Sequence, residues 1–189
     1  MLSFYFAPGS SSMAPHIALH EVQAEFESHP VSFARKETHE PWFLAINPEG
    51  KVPVLVADGR PLTEVAAILW YLARRHPEKG LLEVDECAAI SWMSFLAATV
   101  HGARKSGEAA VRSVWMLAEQ RLGGAAWALG RYSIVDIHLF RLFWRFSGAR
   151  GPDGSSYPGL TAHYSRMMAR EAVRRTIAAE AAIGYELPA

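Results

Sequence analysis

Residues 47–68 read NPEGKVPVLVADGRPLTEVAAI, and this stretch decides the fold of the first part of the chain. Residues 52–56 are rich in β-branched side chains, which fit the pleated surface of a sheet and so indicate a strand. The Asp58-Gly59 pair follows at the position of a hairpin turn, so a return strand is predicted from Pro61-Leu62. Thr63-Glu64 then opens a segment whose apolar residues recur at helical spacing. The stretch therefore predicts a β-hairpin followed at once by a helix.

The residues before this stretch alternate between strand and helix patterns. Residues 2–6 form an apolar and aromatic run that Pro8-Gly9 ends, which indicates a buried strand. Residues 13–23 place apolar side chains at helical spacing, and Ser11 and Ser12 stand where N-cap residues are expected. Together with a second strand at 29–34 and a short helix at 41–46, the predicted order of elements is βαβ, then α, then ββα.

From residue 86 onward the sequence is predicted to be almost entirely helical. Residues 132–146 are apolar on nearly every side, so this helix should lie at the centre of a bundle. Between the two parts, His76-Pro77 and Gly80 combine residues that end a helix with residues that start a turn. The predicted domains are an α/β domain at 1–77, a linker at 78–85 and an all-α domain at 86–189.

Composition excludes several classes of protein. The 189 residues include 19 basic and 19 acidic side chains, so the formal net charge is zero and gives no bulk attraction to nucleic acid or to an anionic membrane. Cys87 is the single cysteine, which excludes an intrachain disulfide and a cysteine-rich zinc site and favours a reducing, cytoplasmic compartment. The chain shows neither a signal-peptide pattern at its start nor an apolar run long enough to span a membrane. His16 and His20 lack the intervening glutamate of a zinc-binding helix, so no metal site is predicted.

Three clusters of residues point to a chemistry. They are Pro8-Gly9-Ser10-Ser11-Ser12, Asn47-Pro48-Glu49-Gly50-Lys51-Val52-Pro53 and Leu62-Thr63-Glu64-Val65-Ala66-Ala67-Ile68. In this order and spacing they resemble the glutathione transferase superfamily, most closely its bacterial, beta-like branch. Tyr132-Ser133-Ile134-Val135-Asp136 opens the predicted central helix with the spacing of a capping box, and it is similar to a folding motif of the same family. The resemblance covers almost the whole chain. It implies a thioredoxin-like α/β domain followed by an all-α helical bundle domain, the glutathione transferase fold.

Ser11 is the candidate for activating a thiol. The N-terminal end of a helix presents free N–H groups and the positive end of the helix dipole, so it favours a thiolate, and a serine hydroxyl there adds a donor. The alternative is that Ser10, Ser11 and Ser12 only cap the helix. The resemblance implies that Ser11 stabilises the glutathione thiolate. The bacterial branch commonly has a cysteine at this position, so mixed-disulfide chemistry is not expected here. Tyr5 and Ser12 are the second choices for the catalytic residue.

The resemblance also implies a set of residues that bind glutathione. Glu64 would accept from the ammonium group of the γ-glutamyl end, and the N–H of Val65 would donate to the carboxylate beside it. A cis peptide bond before Pro53 would expose the backbone of Val52 for pairing with the ligand. The alternatives are that Glu64 only complements the helix dipole and that Pro53 is an ordinary trans proline at a strand start. The full predicted set is Lys36, Lys51, Val52, Pro53, Glu64, Val65 and His101. For the two lysines the alternative is a solvated side chain, and for the histidine a helix-end position with its hydrogen bonds satisfied.

Two functions are consistent with these residues. The first is a glutathione transferase-like enzyme that binds glutathione as co-substrate and conjugates its thiolate to a small hydrophobic electrophile. This enzyme would be cytoplasmic and would involve no nucleic acid, membrane or metal. The alternative is a glutathione-binding or protein-interaction module of the same fold with little catalytic activity. Three features favour it: valine at position 65, the missing cysteine, and a segment 101–133 that is shorter than is usual in the bacterial branch. The resemblance also implies a homodimer, for which the six tryptophans are candidate anchors.

Overall fold

The computed structural model of the chain describes residues 1–148, 151 and 153–187. Their contacts divide the chain into two compact units. The first consists of Met1–Arg75 together with the segment that starts at Glu171, and the second consists of His76–Arg170. The domain boundaries proposed from the sequence remain predictions. The contacts group the segment from Glu171 with the first unit, whereas the predicted boundaries place it in the all-α domain.

The first unit is built on a four-stranded mixed sheet. Its strands are β1 (Leu2–Phe6), β2 (Phe26–Pro30), β3 (Val54–Ala57) and β4 (Arg60–Thr63), in the spatial order β2-β1-β3-β4. β1 is parallel to β2 and antiparallel to β3, and β3 is antiparallel to β4. The first three α-helices of the chain are α1 (Met13–Glu21), α2 (Pro41–Leu44) and α3 (Val65–Arg75). This order confirms the predicted succession of elements, including the hairpin between β3 and β4.

β2 lies earlier in the chain than predicted, at Phe26–Pro30 rather than at 29–34. It is an edge strand whose residues Glu27 and Ser28 are exposed, so it lacks the alternation by which a half-buried strand is recognised. Val31, which produced the apolar signal, is buried just beyond the strand, and its N–H donates to Phe6 O at 2.7 Å. The apolar pattern therefore indicates a buried segment correctly, but the residues that pair with β1 as a strand lie earlier in the chain.

The two faces of the sheet pack against different elements. Phe4 and Phe6 point to the face covered by α1, where the ring of His16 lies 5.6 Å and 4.8 Å from theirs. Tyr5 points to the other face, because successive side chains of a strand alternate. The cluster on that face consists of Val31, Phe43 and Val54, with Tyr5, Ile46, Val52 and Val56 packed around them.

The second unit is helical. Its α-helices are α4 (Glu86–Ser94), α5 (His101–Ala103), α6 (Glu108–Leu122), α7 (Ile134–Ser147) and α8 (Pro158–Met168), and a π-helical segment, Phe95–Val100, joins α4 to α5. α7 is buried from Ile134 through Phe143, which confirms the predicted central helix. The last helix, α9 (Glu171–Ile183), belongs to the first unit, where it packs against α1. Among the described residues, none of the helices combines the length and the apolar character that a membrane span requires.

α7 begins with the capping box that the sequence predicted. Ser133 Oγ accepts from Val135 N at 3.3 Å, and the carboxylate of Asp136 accepts from Ser133 N at 2.9 Å. Asp136 is fully buried, accepts from Ala128 N at 2.8 Å and lies 3.0 Å from Nε2 of His163. One carboxylate therefore joins the start of α7 to the preceding loop and to α8.

Candidate active site

The loop between β1 and α1, residues 7–12, contains three serines and is called the serine loop. Two of the three hydroxyls hold this loop together. Ser12 Oγ accepts from Ala7 N at 3.1 Å and donates to Ala7 O at 3.0 Å, and Ser10 Oγ lies 2.6 Å from it. Ser10 and Ser12 are buried. Ser12 stands at the N-cap position of α1 but has helical dihedral angles and no side-chain hydrogen bond to the helix backbone. The predicted serine capping of α1 is therefore wrong.

Ser11 is the serine whose donors are available. Its side chain is only partly buried, and its hydroxyl donates to Val52 O at 3.4 Å, which is long for a hydrogen bond. Its backbone N–H has no hydrogen-bond partner in the part of the chain that the structure describes. Ser11 thus offers two donors beside the start of α1, where the helix dipole also favours an anion. This geometry favours Ser11 over Ser12 as the residue that polarises a thiol.

Asn47 organises the turn that leads to Val52. It is 3% exposed, its Nδ2 donates to Lys51 O at 2.8 Å, and its Oδ1 accepts from Glu49 N at 3.1 Å. One buried amide therefore fixes the backbone on both sides of Gly50, whose φ of 62° lies in the left-handed region that favours glycine. Sequence reasoning quoted Asn47 in a motif without assigning it a function, because the direction of an amide side chain cannot be read from sequence.

Val52 connects the turn at Gly50 with the serine loop through a hydrogen bond to Ser11. The Val52–Pro53 peptide bond is cis, as predicted, and Val52 O is the acceptor of the Ser11 hydroxyl. β3 begins only at Val54, so the backbone groups of Val52 lie beyond the hydrogen-bond ladder of β1 and β3. An extended peptide could pair with the sheet at this end.

The two predicted lysines lie on neighbouring exposed segments. Lys51 Nζ is 3.1 Å from Glu49 Oε2, and its side chain is exposed. Lys36 is also exposed, and its φ of 56° is left-handed. The segment after Lys36 lies against the turn of Lys51, because a Cβ added at Gly50 would be 3.0 Å from Thr38 O. The structure therefore brings the segments of the two lysines together.

Glu64 stands at the junction of β4 and α3. It is exposed, and its φ of 70° is a conformation that residues other than glycine seldom adopt. Such residues cost about 1–3 kcal/mol each and cluster at functional sites. Its carboxylate has no hydrogen-bond or ion-pair partner among the described residues. Val65 is buried at the first position of α3, where helix N–H groups lack partners within the helix.

Tyr5, a second choice for the catalytic residue, packs on the face of the sheet opposite α1. Its ring stacks on His29 at a centroid distance of 4.7 Å and lies 6.3 Å from the ring of Phe43. The structure therefore accounts for Tyr5 as part of an aromatic cluster and does not direct its ring toward α1.

His101 lies in the second unit and is half-buried. Burial lowers the pKa of His101 to about 4, and the positive charges of Arg104, Arg141 and Lys105 act in the same direction. Burial, followed by Arg141, lowers the pKa of His138 in α7 to about 3. Both imidazoles are therefore neutral at pH 7, and the contact of His101 with glutathione remains a prediction.

Within residues 1–148, 151 and 153–187, no group of three histidine, cysteine, aspartate or glutamate residues is arranged to hold a metal ion.

Sequence reasoning missed Glu180, which holds the serine loop from α9. It is fully buried, its Oε2 accepts from Gly9 N at 2.6 Å, and its Oε1 lies 2.8 Å from Nδ1 of His16. The carboxylate therefore ties the loop to both α1 and α9, and each oxygen has a partner. No local signal marks Glu180, because it lies 171 positions from Gly9 in the chain.

Comparison with known proteins assigns the chain to a family. Residues 2–74 match the family described as glutathione S-transferase, N-terminal domain. Glutathione S-transferase GstA of Escherichia coli O157:H7 is 27% identical over 201 residues, which cover 95% of this chain and 98% of that protein. The structure of a sphingomonad glutathione S-transferase complexed with glutathione has a TM-score of 0.82 at 32% identity and covers 95% of this chain and 98% of its own. A bacterial beta-class glutathione S-transferase of Sphingomonas chungbukensis has a TM-score of 0.82 at 33% identity, over 94% of this chain and 98% of its own.

These likenesses confirm the predicted fold class, a thioredoxin-like α/β region followed by a helical region. The chain belongs to the glutathione S-transferase superfamily, in its bacterial beta-like branch, and is an enzyme of that type.

Proposed function

We propose that this enzyme binds glutathione in its first unit, stabilises the sulfur as a thiolate at Ser11 and transfers it to a small hydrophobic electrophile. The observation that supports this most is the difference among the three serines: Ser10 and Ser12 are bonded within the loop, whereas Ser11 has donors available. A free thiol has a pKa of about 8.5, and one hydrogen bond to a charged group is worth about 1.5–3 kcal/mol. Ser11 alone would then lower the thiol pKa by about one to two units.

Ser11 acts in this reaction as a hydrogen-bond donor and not as a nucleophile. The thiolate sulfur attacks the electrophilic carbon and forms the S–C bond, and the leaving group departs with its electron pair. Holding the two reactants side by side adds proximity to the activation of the thiol.

The remaining contacts follow the groups of the tripeptide. The carboxylate of Glu64, which has no partner in the described part of the chain, suits the ammonium group, and the N–H of Val65 suits the neighbouring carboxylate. The backbone of Val52 suits the central peptide groups, since it extends beyond the sheet ladder. Lys36 and Lys51 suit the glycine carboxylate at the other end.

Glu64→Ala tests the binding of the γ-glutamyl end. Glutathione affinity should fall by about 10- to 100-fold in calorimetry, because a charge-assisted hydrogen bond contributes about 1.5–3 kcal/mol. Glu25→Ala, which removes another exposed carboxylate of the same unit, is the matched control. Unchanged affinity would mean that Glu64 only complements the helix dipole. Wild-type protein that binds glutathione but turns over no electrophile would support the alternative of a binding module.

We also propose a homodimer in a reducing, cytoplasmic setting. Two of the six tryptophans, Trp92 and Trp115, are each 4% exposed and do not suit the role of surface anchors, whereas Trp42 is 46% exposed. Instead, α4 and α6 expose Ile90 and Leu117, each 51% accessible, as large apolar side chains suited to a subunit contact. Sedimentation equilibrium should give twice the chain mass of 20.9 kDa at micromolar concentration. A single-chain mass there would contradict the dimer.

A further inference from the structure

The segment that follows α9 lies against the serine loop. Gly184 directly follows α9, and its φ of 101° lies in the left-handed region that favours glycine. Tyr185 and Leu187 then pack on Gly9, because a Cβ added at Gly9 would lie 2.8 Å from Cδ1 of each. The segment therefore covers the backbone that leads to Ser11.

Glu186, between these two residues, binds the loop at 32–37. Its Oε2 accepts from Ser32 Oγ at 2.8 Å and from Ala34 N at 3.0 Å, and its Oε1 accepts from Ser32 Oγ at 3.1 Å. The Ala34 N–H, followed by the Ser32 hydroxyl, lowers the pKa of the Glu186 carboxyl, so this group is ionised at neutral pH. A second carboxylate, that of Glu37, accepts from Ser32 N at 2.7 Å from within the loop. The loop is therefore held by one carboxylate of its own and one from the segment after α9.

This loop contains Lys36 in its left-handed conformation. A residue other than glycine in that region costs about 1–3 kcal/mol and persists only where surrounding contacts over-determine it. The hydrogen bonds at Ser32 and Ala34 precede Lys36, and the carboxylate of Glu37 follows it. Among the described residues, the hydrogen bonds that the loop would keep without Glu186 are internal to it.

We infer that Glu186 is a positioning residue for glutathione that acts through Lys36. The inference rests on the proposed function, in which Lys36 meets the glycine carboxylate. By fixing Ser32 and Ala34, Glu186 orders the lysine before the ligand arrives, and a pre-ordered contact loses less entropy on binding. The effect falls on glutathione affinity, whereas the reaction of bound glutathione at Ser11 is unchanged.

A double-mutant cycle of Glu186→Ala and Lys36→Ala tests this role. Glu186→Ala should raise Kd and KM for glutathione by about 3- to 10-fold, as expected for one hydrogen-bonded contact, and leave kcat within about twofold. Glu186→Gln keeps an acceptor oxygen and should lose less. In the Lys36→Ala background, Glu186→Ala should raise the Kd for glutathione little further, because Glu186 acts on glutathione through Lys36. Glu83→Ala, which removes an exposed carboxylate bonded to Arg131 in the second unit, is the control.

Amide exchange at Ala34 separates failure of this inference from failure of the proposed function. In the ligand-free protein the Ala34 N–H should exchange faster in Glu186→Ala than in wild type. Wild-type protein that does not bind glutathione would overturn the proposed function and, with it, the role of Glu186. If wild type binds glutathione, three results would overturn the inference alone: an unchanged Kd in Glu186→Ala, an equal loss with and without Lys36, or unchanged exchange at Ala34.

Discussion

Ser133 at the start of α7 accepts a hydrogen bond from the helix backbone, whereas Ser12, in the same position before α1, bonds back to the loop. In α7 the third helical residue is Asp136, which completes the capping box. In α1 the second helical residue, Ala14, donates its N–H to Ser11 O at 3.4 Å, and the third, Pro15, has no N–H to donate. The two helices therefore differ in whether the first turn leaves an N–H for the serine that precedes it.

The difference has a functional consequence. The polar groups at the start of α7 are buried and mutually bonded, so they serve stability. In the α1 loop the two buried serines bond to the loop itself, and Ser11 between them keeps its donors for a ligand. We therefore expect substitutions at the start of α7 to change the free energy of unfolding and substitution of Ser11 to change the pH dependence of the rate.

Asp136→Ala should have the largest effect on stability. It removes the acceptor of Ser133 N and Ala128 N and the partner of His163, and two of these three residues, Ser133 and His163, are fully buried. The free energy of unfolding should fall by about 3–5 kcal/mol, the range for breaking a buried network by removing one charged partner. Urea denaturation measures it, and Asp136→Asn, which keeps an acceptor oxygen, should lose less. A loss no larger than that of an exposed substitution would show that this carboxylate does not hold α7.

A smaller effect is expected from acid, and it arises in α7 as well. The pKa of His138 is about 3 in the folded protein and about 6.5 when the chain is unfolded, so the unfolded state binds the proton first as the pH falls. This contribution to stability is fully present above pH 6.5 and is lost as the pH falls from there toward 3. At pH 5.5 it amounts to a loss of about 1.4 kcal/mol relative to pH 8. His138→Phe should remove this part of the pH dependence in urea denaturation at the two pH values, and an identical pH dependence in both proteins would contradict the assignment.

Local patterns predicted much of the fold because helices, hairpins and caps depend on residues close in sequence. The hairpin between β3 and β4, the buried helix α7 and its capping box were predicted for this reason. β2 was misplaced because it is an exposed edge strand that is defined by its pairing with β1 and not by its own apolar pattern.

The candidate site was predicted where a motif is contiguous and missed where a long-range contact builds it. Glu180 and Glu186 hold two loops from the far end of the chain, and no spacing in the sequence reveals which carboxylate turns toward Gly9 or Ser32. The serine pattern predicts a cap at Ser12, whose hydroxyl bonds instead to Ala7, five residues earlier. In both cases the sequence shows which polar side chains are present but not which partner each of them contacts.

Ser10→Ala and Ser12→Ala are the controls for the central claim, because both hydroxyls are bonded within the same loop as Ser11. Ser12→Ala leaves the backbone N–H and C=O of Ala7 without their side-chain partner, so stability should fall by about 1–3 kcal/mol. The pH profile of the rate should keep its shape in both controls, since neither hydroxyl is available to a ligand.

The most direct test is the pH–rate profile of Ser11→Ala at saturating glutathione. Loss of one hydrogen bond to the thiolate should slow turnover at neutral pH by about 10- to 100-fold, since such a bond is worth about 1.5–3 kcal/mol. The affinity for glutathione should change little, and the rate should recover in part at high pH, where solvent deprotonates the thiol unaided. An unchanged profile in Ser11→Ala, or the same pH-rescued defect in Ser12→Ala or Tyr5→Phe instead, would contradict the assignment of the thiolate donor to Ser11.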